Sequence, residues 1–200
     1  MIIGITGGTG CGKSTLLELI RQQGGLVLDC DSIYHELLKT DPSLLSAIEN
    51  RFPGTVEKGV LDRKKLGGIV FTDANALADL NAITHTAVKT EVMARLPKNG
   101  SMWASTPTVA IDAYGLFEGG LAELCQVTVA VVAPVEARVR RLMERDQITE
   151  DYARSRIAAQ RTNEEFSKLC QYTLDNNGTL EDFQSKCLAF LQEIGIIKLM

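Results

Sequence analysis

Nine residues near the start of the chain, Gly7-Gly8-Thr9-Gly10-Cys11-Gly12-Lys13-Ser14-Thr15, put backbone freedom, one cation and three hydroxyls at a spacing that suits a polyphosphate. From Gly7 to Ser14 they read G-x-x-x-x-G-K-S. Glycines let successive N–H groups turn inward into a cationic concavity, and a helix opening there adds the positive end of its dipole. Lys13 would reach the β- and γ-phosphates, Ser14 would ligate Mg²⁺, and Thr15 would bond an α-phosphate oxygen. Apolar β-branched residues 2–6 stand directly before the loop, and Leu16 to Ile20 follow with helical character. The motif therefore sits between a strand and a helix, the context that its chemistry requires.

A phosphate cradle alone gives only nucleotide binding, so other groups must narrow the reaction. Asp29-Cys30-Asp31 closes the second predicted strand, at the carboxyl edge where open α/β sheets bind ligands. An acid there can take a proton from an attacking hydroxyl or hold a metal-bound water, and Asp31 is chosen over Asp29. Asp31 reads equally well as the N-cap of a helix starting at Ser32, and both readings stand at this level. A second cluster holds Arg138, Arg140, Arg141, Arg145, Arg154, Arg156 and Arg161. Arg141 and Arg145 share a helix face, so a lid carrying them could close over a triphosphate. The competing reading is an exposed helix with pairs such as Arg141 or Arg145 with Glu144 and Asp146. Asp112-Ala113-Tyr114-Gly115 formally matches the D-x-x-G of regulatory GTPases, but no N-K-x-D guanine-reading motif occurs.

The elements that must position these groups follow from periodicity. Residues 2–6, 26–31, 108–112, 127–132 and 172–175 read as strands, and the unbroken apolar run of 127–132 suits a strand covered on both faces. Pro134 at a first helical position launches a helix over 135–145, Thr149 with Glu150 and Asp151 starts another, and Thr179 with Asp182 caps a terminal one. Leu77, Leu80, Ile83, Ala87 and Leu96 recur at nearly helical spacing, so the stretch between the second and third strands reads as a helical insertion. The expectation is an α/β fold of the P-loop NTPase type: a parallel sheet of about five strands flanked by helices, in a single domain over 1–200.

Composition bounds the rest. The chain has 200 residues, 45% hydrophobic, enough to bury a core. Its 21 basic and 25 acidic residues leave a net charge of −4, which argues against nucleic acid as a partner. No stretch approaches the roughly 20 apolar residues of a membrane span, and no basic-then-apolar leader stands at the start, so no membrane is involved and a cytoplasmic location is expected. Cys11, Cys30, Cys125, Cys170 and Cys187 form no Cys-x-x-Cys pair and have only His35 and His85 to join them, so neither a zinc site nor a disulfide framework is expected. Cys11 reads as loop filler rather than a reactive thiol. His85 either hydrogen-bonds a substrate or satisfies a buried polar network, and Trp103 carries no functional signal.

Taken in order along the chain, these segments resemble the dephospho-CoA kinases, which phosphorylate the 3′-hydroxyl of dephospho-coenzyme A. Residues 5–15 are close to that family's LTGGIGSGKST, and Asp29-Cys30-Asp31 is similar to its D-A-D. Leu80-Asn81-Ala82-Ile83-Thr84-His85 resembles L-x-x-I-x-H-P, and Leu116-Phe117-Glu118 the end of P-L-L-F-E. Arg141 to Asp146 resembles R-x-x-x-R-D, while Ala158-Ala159-Gln160 and Asp175-Asn176-Asn177-Gly178 resemble A-x-Q and D-N-x-G. The chain departs from the pattern at Thr86, Tyr114, Gly115 and Cys170-Gln171.

The resemblance implies transfer of the ATP γ-phosphoryl group to dephospho-coenzyme A with Mg²⁺; a monomer or weak homo-oligomer is expected. It implies Asp31, Lys13, Arg141 and Arg145 as catalytic residues, with Gly8, Thr9, Gly10, Cys11, Gly12, Lys13, Ser14, Thr15, Arg141, Asn176 and Gly178 around ATP. The acceptor would meet Asp31, Arg63, Leu66, Phe71, His85 and Glu118, many of them in an insertion over about 60–97. A lid would span about 138–165. The rivals are a related kinase of a nucleoside monophosphate or other small alcohol, and an ATP-binding regulatory protein that transfers nothing.

Overall fold

The computed structural model describes residues 1–97 and 108–197, so Trp103 lies outside the described residues. The chain forms two compact units, one of Met1–Leu28, Pro97–Phe117 and Leu121–Met200, the other of Asp29–Leu96 and Glu118–Gly120.

The first unit is built on a five-stranded sheet. Its strands are β1 (Ile2–Thr6), β2 (Leu26–Asp29), β5 (Val109–Asp112), β6 (Val127–Val132) and β7 (Tyr172–Asp175), in the order β2-β5-β1-β6-β7. β1 pairs in parallel with both β5 and β6, and β6 with β7. The register sets Ile5 beside Asp112 and Thr6 beside Ala130, so the end of β1 that feeds the phosphate loop is flanked by the ends of its neighbours. Helices α1 (Lys13–Gln22) and α9 (Leu180–Glu193) bury Leu16, Leu17, Ile20, Phe183, Phe190 and Leu191 in the same core as Ile3, Ile5, Val129 and Val131. At about 25 cal/mol per Å² of apolar surface, this shared core is the main force holding the loop's two flanking elements in place.

Three further helices belong to this unit. Val139 and Leu142 of α6 (Val135–Asp146) pack on Ala153 and Ile157 of α7 (Glu150–Ala158), and Phe166 of α8 (Asn163–Leu169) packs on Ala130 and Val132. Thr149 caps α7, and capping boxes close the starts of α8 at Thr162 and α9 at Thr179. Pro134 stands one position earlier than the sequence suggests, as the extended N-cap of α6 rather than its first helical residue.

The second unit is helical around α5 (Ala74–Arg95), on which α2 (Cys30–Thr40), α3 (Pro42–Arg51) and α4 (Arg63–Val70) pack. Between α3 and α4 lies a two-stranded antiparallel hairpin, β3 (Val56–Glu57) and β4 (Val60–Leu61), turning through Lys58 and Gly59 at φ 51° and 78°. Aspartates start all four of these helices: the Asp29, Asp41, Asp62 and Asp73 carboxylates accept from first-turn N–H groups. This settles one open point and corrects one boundary. The second strand ends at Asp29, not residue 31, because Asp29 is the cap, taking the Ser32 N–H at 3.0 Å, and Asp31 stands in the first turn. Among the described residues no helix is long and apolar enough to cross a membrane.

Candidate active site

Gly12 turns the chain into α1 at φ 99°, a left-handed conformation that an L side chain adopts only with strain. No side chain caps that helix, so its first N–H groups stay open to an anion, which the dipole also favours. Within the loop the Cys11 N–H bonds the Gly8 carbonyl at 3.2 Å and the Thr15 N–H bonds Gly12 at 3.1 Å, so two of its turns are closed by its own backbone. The Lys13 ammonium bonds the Gly7 carbonyl at 3.2 Å and lies 3.8 Å from an Asp112 carboxylate oxygen at the end of β5. Lys13 is thereby drawn back across the loop. Ser14 and Thr15 occupy the first turn of α1, Ser14 exposed.

Side chains from distant elements brace the loop from outside. Asn176, 5% exposed just beyond β7, donates to the Cys11 carbonyl at 2.9 Å and accepts from Arg141 at 3.1 Å. Arg141 also reaches the Gly10 and Cys11 carbonyls at 3.2 and 3.4 Å. A methyl group at Gly12 would stand 2.3 Å from the Asn176 amide, so this contact also requires glycine. Arg138 and Gln160 grip Thr9: the Arg138 Nε donates to its carbonyl, and Gln160 Oε1 accepts its N–H, both at 2.8 Å. Sequence reasoning grouped Arg138 with the lid and missed this role, since its partner is 129 residues away and no local pattern marks it.

The other arginine of the pair behaves differently. Arg145 is 61% exposed and makes two bonds to Asp146, at 2.7 and 3.1 Å, while Arg156 takes the same carboxylate at 2.7 Å. Hydrogen bonds from Arg145 and Arg156 pull the Asp146 carboxyl down to about 2. Arg145 thus enters the ion pair with Asp146 that the exposed-helix reading names, and Arg141 turns to the loop carbonyls. Cys11 is buried at the loop's root, and desolvation pushes its thiol up, against the attraction of Lys13. Gly178 is exposed in the turn before α9, against Asp182.

The second unit places its candidate residues by itself. Asp31 is exposed, and no hydrogen-bond partner takes its carboxylate among the described residues. Arg63 at the start of α4 lies 3.5 Å from His35 Nδ1 on α2, and its charge opposes the upward shift that burial gives the neighbouring Tyr34 phenol. Leu66, 5% exposed, belongs to the unit's core, and Phe71 just after α4 is 83% exposed. His85 is half-buried on α5, and Glu118 is exposed.

Comparison with known proteins agrees with this geometry. The family model described as dephospho-CoA kinase matches residues 1–182. A dephospho-CoA kinase of Geobacillus kaustophilus is 36% identical over 195 residues, covering 96% of each chain. One of Deinococcus radiodurans is also 36% identical, over 97% of this chain and 92% of its own. Among solved structures, a Thermus thermophilus protein superposes with a TM-score of 0.76 at 35% identity over 97% of both chains. The dephospho-CoA kinase of Campylobacter jejuni gives 0.67 at 25% identity over 96% of both. A shikimate kinase of Acinetobacter baumannii, 20% identical with a TM-score of 0.53, shares the fold. A braced phosphate loop on a parallel sheet, matched over nearly the whole chain, places this protein in the dephospho-CoA kinase family.

Proposed function

We propose that this protein transfers the γ-phosphoryl group of ATP to the ribose 3′-hydroxyl of dephospho-coenzyme A, giving coenzyme A and ADP. The observation that carries the proposal is the open N-terminus of α1 with Lys13 drawn across it, in a chain that matches the family model over residues 1–182. The loop amides of residues 8–15 hold the phosphates, and Lys13 leaves the Gly7 carbonyl to meet the β- and γ-oxygens. The Ser14 hydroxyl and the Asp112 carboxylate are hard oxygen donors of the kind Mg²⁺ prefers. These two groups would hold Mg²⁺, which would supply positive charge against the phosphates.

Asp31 takes the proton of the attacking hydroxyl, a role open to it because Asp29, not Asp31, caps α2. Arg141 holds the loop in shape and adds positive charge beside it, and Asn176 and Gly178 border the adenine. Arg145 exchanges Asp146 for phosphate as residues 138–165 close, and its exposure leaves it free to do so. Residues 60–97, with Arg63, Leu66, Phe71 and His85, form the acceptor side together with Glu118. We place the protein in the cytoplasm, as a monomer or weak homo-oligomer.

The deciding experiment measures ADP release by the purified protein with Mg·ATP, offering dephospho-coenzyme A, AMP, CMP or no acceptor. Release with dephospho-coenzyme A alone is expected. Preference for a nucleoside monophosphate would move the reaction to a neighbouring kinase class, and no acceptor dependence at all would overturn the proposal.

A further inference from the structure

The guanidinium of Arg138 is a buried cation to which the reaction above gives no task. It is 2% exposed and stands in the first turn of α6, where the helix dipole already presents positive charge. Arg145, Arg154 and Arg156 each have a carboxylate oxygen at 2.7 Å, whereas no carboxylate pairs with Arg138 among the described residues. Desolvation accordingly lowers its hold on the proton. An unpaired buried charge is costly, so its retention calls for a compensating group.

Its surroundings show where that compensation lies. Nε donates to the Thr9 carbonyl and Nη2 to Gln160 Oε1, each at 2.8 Å, and the same Oε1 accepts the Thr9 N–H at 2.8 Å. The two side chains therefore close a ring with one loop residue, Thr9, and occupy both of its backbone polar groups. A methyl group on Gly8 would come within 2.2 Å of Nη2, so the guanidinium lies directly against the loop backbone. Gly10 meets the backbone of Arg138 as well, with a methyl group there 3.0 Å from the Arg138 carbonyl oxygen. The polar contacts are neutral dipoles, and the site beside them is the one that takes an anion.

We propose that Arg138, with Gln160, is a positioning residue for nucleotide binding: it fixes the Thr9 peptide and keeps beside Gly8 a positive charge whose counter-ion is the polyphosphate seated in the loop. Arg138 acts through the loop's shape and field and transfers no proton. The inference rests on reading residues 7–15 as the nucleotide phosphate site.

Calorimetric titration of ATP into the full chain tests both levels. With the unsubstituted protein, binding is expected, and its absence would overturn the parent reading. Arg138→Met should weaken ATP binding about 30-fold, the scale of one lost charge-assisted interaction. Arg138→Lys, which keeps the charge but loses the fork, should recover part of that loss. The KM for dephospho-coenzyme A should stay unchanged in both variants. Gln160→Met opens the same ring from a less buried position and should weaken ATP about 5-fold, so the test survives if Arg138→Met fails to fold. A lower melting temperature with unaltered ATP affinity in the folded variants would make the ring purely structural and overturn the proposal.

Discussion

Around the phosphate loop, Arg138, Arg141, Asn176 and Gln160 reach in from elements far along the chain and tie loop carbonyls and one N–H into place. In the Asp29–Leu96 unit the candidate groups stand apart: Asp31 and Phe71 are exposed, and Arg63 meets His35 only at 3.5 Å. The difference is physical. A polyphosphate carries concentrated charge, and preorganised dipoles bind it best when they need not rearrange. On the proposed function, an acceptor with a long, flexible, partly apolar body would be met by side chains that can adjust, at a cost in ordering paid on binding.

Substitutions can break or sharpen that contrast. The largest effect is expected at Lys13→Ala, a fall of about 10³-fold in kcat with the melting temperature nearly unchanged, read by coupled ADP assay and thermal melting. Asp31→Asn should lower kcat about 10²-fold while leaving ATP affinity and stability alone, whereas Asp29→Ala should lose about 1 kcal/mol of stability with its cap. Similar behaviour of the two aspartates would dissolve the distinction between base and cap.

On the braced side, Asn176→Ala should cost about 1–3 kcal/mol in denaturant unfolding, because it takes the shorter of two donors from the Cys11 carbonyl and removes a partner of Arg141. The carboxyl of Asp146 sits at about 2, below its unfolded value of 3.8. Its contribution is therefore complete above pH 3.8 and fades as pH falls through about 2. Melting curves between pH 5 and 2 should show a shallower decline for Asp146→Asn. The smallest effect belongs to Arg51→Ala on the helical side. Its 2.7 Å pair with Asp79 is about half exposed at both ends, so the loss should stay within about 1 kcal/mol.

What the sequence shows and what it hides follow from the range of the interactions. The loop motif, the five strands and the caps at Thr149 and Thr179 are local patterns, and each forms where spacing predicts, save that the second strand ends at Asp29. The hairpin at Val56–Leu61 escapes because two-residue strands have no period, although Lys58-Gly59 is the kind of pair that turns with positive φ. Helix α8 escapes too, despite a Thr162–Glu165 capping box that a closer reading of Thr162-Asn163-Glu164-Glu165 would find. Spacing places Arg141 and Arg145 on one face, yet burial separates them, one turned to the loop and the other to Asp146. No periodicity signals the grip of Arg138 on Thr9, since its meaning depends on a fold already formed.

The bond between Asn176 and the Cys11 carbonyl spans 165 residues, and it bears on how the protein is made. A ribosome releases the glycine loop early, but β5 and β6, which flank β1, begin only at Val109 and Val127, and Asn176 follows later still. Through most of synthesis the nascent loop is thus a bare glycine-rich segment lacking its supports, and contacts this distant are slow to form. The loop's full set of supports is complete only when the last strand has emerged.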